Sequence, residues 1–383
     1  MLRVGIVCDL KEEQWPSMDL IGDMLLEQFA SRNSGVQASR VQPKLRRNCT
    51  AFPLTRNSKL AWNADRLLNR AVYYPWWLRG KSRQFDLIHI VDHSYAQLAW
   101  QTEPSRTIVT CHDLEAFSCL LEQPSQQRPK WFRAYSRHVL TGLQRAAHVV
   151  CVTDAVRQAG VASGLLDEKK VSVIHNGVHP SCDAHPQPEF DEYAQRLLPF
   201  GPDAMLLLHV GSTVARKRID LLLRIFASIR YQNRRAQLVR VGGALTSQQL
   251  ALAAELGVVE HITQLPFLSR EVLAAVYRRC HVTLLPSEVE GFGLPVVEAM
   301  ACGCPVIATD IPVLREVGGT AADFVPLADL DAWADRILTL LAEKEKDPRA
   351  RLARQTMCTA HASRFSWNTA ADDLALLYRR IAG

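Results

Sequence analysis

Nowhere in this 383-residue chain is there a run of about 18–20 apolar residues, so no segment reads as a helix able to cross a bilayer. The opening MLRVGIVCDL has no long apolar core ended by small residues, which speaks against a secretory leader. Tandem repeats and low-complexity tracts are missing, which excludes solenoids and tail-like disorder. The ten cysteines lack any framework. Their only close pair is Cys302-Gly303-Cys304, with no second pair at zinc-site spacing, so no structural metal is expected. Most of the others lie singly, several in apolar runs where cysteine behaves as a small hydrophobe. A reducing cytoplasm is the expected location. Charge of one sign is also scarce: 45 Lys and Arg against 39 Asp and Glu leave a net +6. That excess suits an anionic ligand or an anionic membrane surface and does not indicate nucleic acid.

What is present is the material of an ordinary globular protein, with 48% hydrophobic and 22% charged residues. The length fits two domains. Short Val/Ile-rich runs at 3–8, 86–91, 107–110, 148–152 and 171–174 alternate with amphipathic stretches such as 131–147. Near-continuous apolarity marks parallel strands covered on both faces. The second half repeats the scheme, with strands at 205–210, 237–241, 261–265, 282–285, 305–308 and 323–325. Helices are expected between them at 219–233, 246–256, 270–279 and 295–301, with further ones at 330–342 and 368–381. Such alternation predicts doubly wound α/β sheets, here twice over. The break is HPSCDAHPQPEF (179–190), rich in proline and without period. The expected division is a first domain at 1–180, a linker at 181–200 and a second domain at 201–365.

Ligands of open parallel sheets bind outside the carboxyl ends of the strands. The stretch SEVEGFGLPVVEAM (287–300) has that layout: a strand end, a turn with Gly291 and Gly293, then a helix with Pro295 near its start. The helix start suits a phosphate or sugar oxygens. Glu290 and Glu298 flank the turn, and carboxylates accept hydrogen bonds from hydroxyls. Hydroxyl readers on either side of an anion site describe a nucleotide sugar. The loop HVGSTVARKRID (209–220) adds Gly211, Arg216 and Lys217; cations at a helix start oppose its dipole and call for an anionic partner.

The run PSEVEGFGLPVVEAMACGCPVIATDIPVLREVGG (286–319) resembles the signature of the retaining glycosyltransferases of family 4, whose E-x7-E element matches Glu290 and Glu298. The resemblance extends to HVGSTVARKRIDLLLRIFA, PFLSREVLAAVYRRCHVTLLPS, TIVTCHDLEAF and the terminal FSWNTAADDLALLYRRIA. It implies a GT-B fold: two Rossmann-like domains whose parallel sheets face a central cleft, the terminal helix 366–383 packing back on the first. It further implies a metal-independent hexosyltransferase that uses a nucleoside diphosphate sugar and no cofactor. Arg216 and Lys217 would hold the diphosphate, with Gly211 shaping the loop. Phe267 and Leu268 would line the base, Glu298 the ribose and Glu290 the sugar. The backbone of Gly291, Phe292, Gly293 and Leu294 would bind sugar and phosphate, and His112 would lie at the reaction centre. In place of the family's paired glycines, the loop after the first strand reads CDLKEEQWPSMDL (8–20), whose Asp9, Trp15 and Ser17 are the acceptor-side candidates.

The implied function is transfer to a glycan or lipid-linked acceptor in cell-surface polysaccharide or glycolipid synthesis, in the cytoplasm or peripherally on the inner membrane face. The alternatives are another GT-B enzyme, such as a sugar-nucleotide epimerase or phosphorylase, or a non-catalytic sugar-nucleotide binder. AVYYPWWLRGKSR (71–83) and KLRRNCTAFPLTRNSK (44–59) join aromatic residues to cations, the mixture found at membrane interfaces. Asp329-Leu330-Asp331 imitates a metal motif but opens a helix, and is read as a cap.

Overall fold

The computed structural model describes residues 1–32, 34–121 and 128–383. These form two compact units, one of residues 1–177 with 367–383, the other of residues 178–366.

The first unit begins with β1 (Leu2–Val7), α1 (Pro16–Ser31) and β2 (Val36–Val41). After α2 (Lys59–Leu68), α3 (Tyr74–Lys81), β3 (Leu87–Ile90) and β4 (Thr107–Cys111) come α4 (Lys130–Arg145), β5 (His148–Cys151), α5 (Asp154–Ala162) and β6 (Val171–Val173). The strands make one six-stranded parallel sheet in the order β2-β1-β3-β4-β5-β6. β2 is the strand that periodicity does not announce. It is an edge strand, and only its terminal Val36 and Val41 are buried, so it carries no apolar run. Between β3 and β4 lies a 3-10 stretch, His93–Gln101. α4 rests on its backbone: a Cβ on Gly142 would stand 2.2 Å from the Ala96 carbonyl oxygen.

The second unit begins with α6 (Pro188–Leu197), β7 (Met205–Val210), α7 (Ile219–Gln232), β8 (Ala236–Val241) and α8 (Ser247–Glu255). It continues with β9 (Ile262–Leu265), α9 (Arg270–Arg279), β10 (Val282–Leu285), α10 (Leu294–Ala301) and β11 (Val306–Thr309). α11 (Pro312–Gly318), β12 (Asp323–Val325), α12 (Leu330–Lys346) and α13 (Pro348–Ala362) complete it. Its six parallel strands run β12-β11-β10-β7-β8-β9, so β7 lies between β8 and β10. Leu222, Ile225, Phe226 and Ile229 of α7 recur at helical spacing and pack with Leu207, Leu238 and Trp333 in the core. Each such buried side chain contributes about 1.5–3 kcal/mol.

Two segments differ from the sequence-based expectation. Part of the stretch read as the linker 181–200 is α6, which belongs to the second unit: Arg278 of α9 grips Asp191 at 2.6 Å and the Asp183 carbonyl at 3.0 Å. Its burial is confined to Ala194, too little to write a period. The polar, Arg-rich stretch after α12 is α13, capped by Asp347, whose carboxylate accepts from the backbone N–H groups of Arg349 and Ala350. It is held by ion pairs, Arg354 meeting Glu343 at 2.8 Å, and buries only Cys358 and Ala362. The last helix, α14 (Trp367–Ala382), belongs to the first unit. There the Tyr378 hydroxyl lies 2.6 Å from His89 Nδ1, and Arg32 pairs with Asp372 at 2.9 Å.

Candidate active site

In the second unit, the loops after β7 and β10 are stitched together. Glu288 N–H donates to the Arg216 carbonyl at 2.8 Å, and Arg216 Nη1 donates to the Val289 carbonyl at 3.2 Å. A 3-10 turn, Ala215–Lys217, ends at Arg218 in the left-handed region with φ 46°, and α7 starts there. This turn buries Lys217, and its Nζ lies 2.5 Å from Glu290 Oε1. Arg216 reaches the other oxygen of Glu290 at 3.7 Å. The residues expected to serve sugar and diphosphate separately therefore form one ion-paired group.

Glu298 lies beyond the first turn of its helix. It is the fifth residue of α10 and is buried. Oε2 accepts from the Tyr277 hydroxyl at 3.1 Å, and Arg270 Nη1 lies 3.5 Å from Oε1. Burial pushes its carboxyl up, while Arg270 and Tyr277 pull it back. Arg270 and Tyr277 were not singled out in the sequence. Their seven-residue spacing puts both on one face of α9, and that was the available signal.

Gly291, Phe292 and Gly293 are buried, and Leu294 is half-buried. The Phe292 ring packs edge-on against Phe365, 5.7 Å between centroids, so only its backbone can serve a ligand. Gly293 takes φ 85° as the cap of α10. Phe267 is exposed and Leu268 half-buried in the loop after β9. Gly211 follows β7 and abuts Gly242, which follows β8: a Cβ on Gly242 would stand 2.6 Å from the Gly211 carbonyl oxygen. Gly242 also escaped the sequence reading, although VGG after an apolar strand is a turn signal.

In the first unit, the carboxyl ends of β1, β3 and β4 carry Asp9, Asp92-His93 and His112-Asp113. His112 is buried, with Nε2 2.6 Å from the Val91 carbonyl and, among the described residues, no partner on Nδ1. Burial lowers its pKa, so the ring is neutral, Nε2–H donates to Val91 and Nδ1 is left as an acceptor. His93 bridges Asp92 and Asp113, each at 3.4 Å. Burial lowers its pKa, but the two carboxylates outweigh that and raise it overall. Asp9 is buried with neither oxygen meeting a donor among the described residues, and burial followed by Asp92 pushes its carboxyl well up. Trp15 and Ser17, the other candidates of that loop, are exposed; the indole N–H donates to Glu13 at 3.2 Å. His89, by contrast, is a satisfied core residue between Tyr378 and Thr110.

Asp329 caps α12, with the Ala332 N–H donating at 3.0 Å. Among the described residues no group of three or more His, Cys, Asp or Glu side chains is placed to hold a metal ion.

Two open parallel sheets, each wound on both faces by helices, define a doubly wound α/β protein built twice in one chain. Residues 194–356 match the family described as Glycosyl transferases group 1, and residues 31–181 match Glycosyltransferase Family 4. The chain belongs to this glycosyltransferase family and has its GT-B fold. It is similar to the D-inositol 3-phosphate glycosyltransferase of Stackebrandtia nassauensis, 32% identical over 77% of this chain and 68% of that protein. The corresponding protein of Mycobacterium marinum is 30% identical over 63% of this chain. Only 52% of that relative is matched, so the chain spans about half its length. Anabaena HepE, solved in complex with UDP and glucose, has the same fold: TM-score 0.75 over 99% of this chain and 100% of that one, at 16% identity.

Proposed function

We propose that the chain is a retaining glycosyltransferase that moves a hexose-type sugar from a nucleoside diphosphate to a hydroxyl of a glycan or lipid-linked acceptor. The observation that carries this reading is the Lys217–Glu290 pair with Arg216 beside it, at the carboxyl end of a parallel sheet. A buried ammonium held by one carboxylate oxygen is pre-oriented to stabilise charge on a departing diphosphate without reorganising. Glu290 accepts from sugar hydroxyls, and Glu298 accepts from the ribose. Phe267 covers the base. No metal is assigned to the leaving group, since Lys217 and Arg216 supply the cations. Retention of configuration rests on the family resemblance.

The test is a thermal-shift screen against UDP-, GDP- and ADP-sugars with EDTA present throughout. Ligand at 100 times its Kd adds about 2.7 kcal/mol, which raises the melting temperature by roughly 5 °C or more. One of the three classes gives that shift. If none does, the donor reading fails; a shift that appears only when manganese is restored overturns metal independence.

A surface of the first unit supports a lipid-linked acceptor. Asp65 accepts from the backbone N–H groups of Asn48, Cys49 and Thr50, and so holds the basic segment 44–50 against α2. Beyond it Phe52, Leu54, Leu60, Val72 and Trp76 are exposed among Arg56, Lys59 and Arg79, with Leu54 99% and Trp76 68% accessible. Tyr74 is different from its aromatic neighbours: it is wholly buried, its hydroxyl bound to the carbonyls of Cys8 and Val41. Exposed apolar tips within a cationic field suit an anionic bilayer surface. The chain is expected to pellet with phosphatidylglycerol vesicles and not with pure phosphatidylcholine. Trp76→Ala/Leu54→Ala weakens this binding about tenfold; pelleting independent of anionic lipid and of both residues would dismiss the surface.

A further inference from the structure

β7 and β8 are apolar along their centres except at one facing pair. His209 and Arg240 are register partners, and neither has any exposed surface. Arg240 Nη2 donates to the Gly211 carbonyl at 2.6 Å. Among the described residues its Nε and Nη1 have no hydrogen-bond partner, and neither ring nitrogen of His209 has one. Burial brings the Arg240 guanidinium down to about 10, which leaves it a cation at neutral pH, with no carboxylate contributing. His209 is neutral, held well below its usual range by burial, then by Arg240 and Lys217.

A dry, uncompensated cation is costly, and the packing does not require it. Leucine at 240 would simply extend the face begun by Leu207 and Leu238. Buried donors left without partners call for an explanation. The surroundings supply one. A Cβ on Gly211 would lie 3.3 Å from His209 Cε1 and 3.6 Å from Lys217 Cε, so these groups gather round one glycine. The Gly211 carbonyl turns towards Arg240. In a trans peptide the N–H of Ser212 therefore turns the opposite way, out of the core.

We propose that Arg240 is a positioning residue for the donor diphosphate. Its guanidinium locks the Gly211–Ser212 peptide so that the Ser212 N–H faces the anion, and its buried charge is compensated only when that anion arrives. The inference rests on the donor reading above and deepens it: the charge of the diphosphate is read from below the loop as well as by Lys217. A buried cation acts on a nearby anion through low-dielectric surroundings, where its field is strongest.

The experiment compares wild type, Arg240→Met and Arg240→Lys by calorimetric titration with UDP, GDP and ADP and with their nucleosides, and by melting without ligand. Arg240→Met is expected to melt no lower than wild type. It binds the preferred nucleoside diphosphate at least tenfold more weakly and the nucleoside unchanged, and Arg240→Lys regains part of the loss. Equal diphosphate affinity in Arg240→Met and wild type overturns the role. So does equal weakening of diphosphate and nucleoside, or a ligand-free melt well below wild type, since either marks a merely structural arginine. If wild type binds none of the three diphosphates, the donor reading itself falls, a result distinct from the others.

Discussion

Lys217→Ala lowers turnover by about 100-fold or more, as expected for loss of a preorganised group worth about 2.7–4 kcal/mol in the transition state. The ammonium is buried and lies 2.5 Å from Glu290, so neither rearrangement nor solvent can replace it. The substitution has a second effect. It leaves Glu290 with Arg216 alone at 3.7 Å, and a buried carboxylate losing its close partner costs stability as well. The two effects separate in Lys217→Ala/Glu290→Gln: the neutral amide restores the melting temperature, and turnover stays low. Steady-state rates with the donor found by the thermal screen, alongside melts of wild type and both variants, make the measurement. Turnover within threefold of wild type in Lys217→Ala would remove the residue from the chemistry.

Gly242→Ala is the second large effect, and it arises from backbone geometry. Gly242 has φ 114°, which L side chains rarely adopt. The added methyl would also stand 2.6 Å from the Gly211 oxygen and 2.9 Å from its carbonyl carbon, both backbone atoms that cannot rotate aside. Strain and overpacking together cost roughly 2–4 kcal/mol. Because the displaced element is the Gly211 loop, kcat/KM falls on the order of 100-fold, the penalty of about 1 Å of misplacement at a reacting centre. Gly243→Ala is the control. Gly243 has a comparable φ of 110° but open space around its Cβ position, so it carries the strain without the collision. If the two variants lose equally, the Gly211 contact has no part in the site.

The legible parts of this protein share a physical cause. Strands buried on both faces must be largely apolar, so β7, β10 and β11 announce themselves as short Val/Ile/Leu runs. The apolar face of α7 announces its helix in the same way. β2, α6 and α13 did not. An edge strand with buried ends, a helix burying one alanine and a helix held by ion pairs leave no period to read. Gly211 and Glu290 in their loops, and Glu298 in α10, stood out because glycine and carboxylate near strand ends are chemically conspicuous. Arg270, Tyr277 and Gly242 did not, because their importance lies in what they touch.

By itself, the sequence determined that there would be two runs of strand–helix alternation, each able to close a parallel sheet, with conspicuous glycines and carboxylates near several strand ends. Tertiary structure alone decided the partners. Lys217 and Glu290 stand 73 positions apart, and nothing local links them. They meet because β7 inserts between β8 and β10, which brings the loops after those three strands together. The same insertion sets His209 against Arg240 and Gly211 against Gly242. Periodicity records which face of an element is dry; it does not record which strand will lie beside which, and that order, settled by packing the whole sheet, made the site.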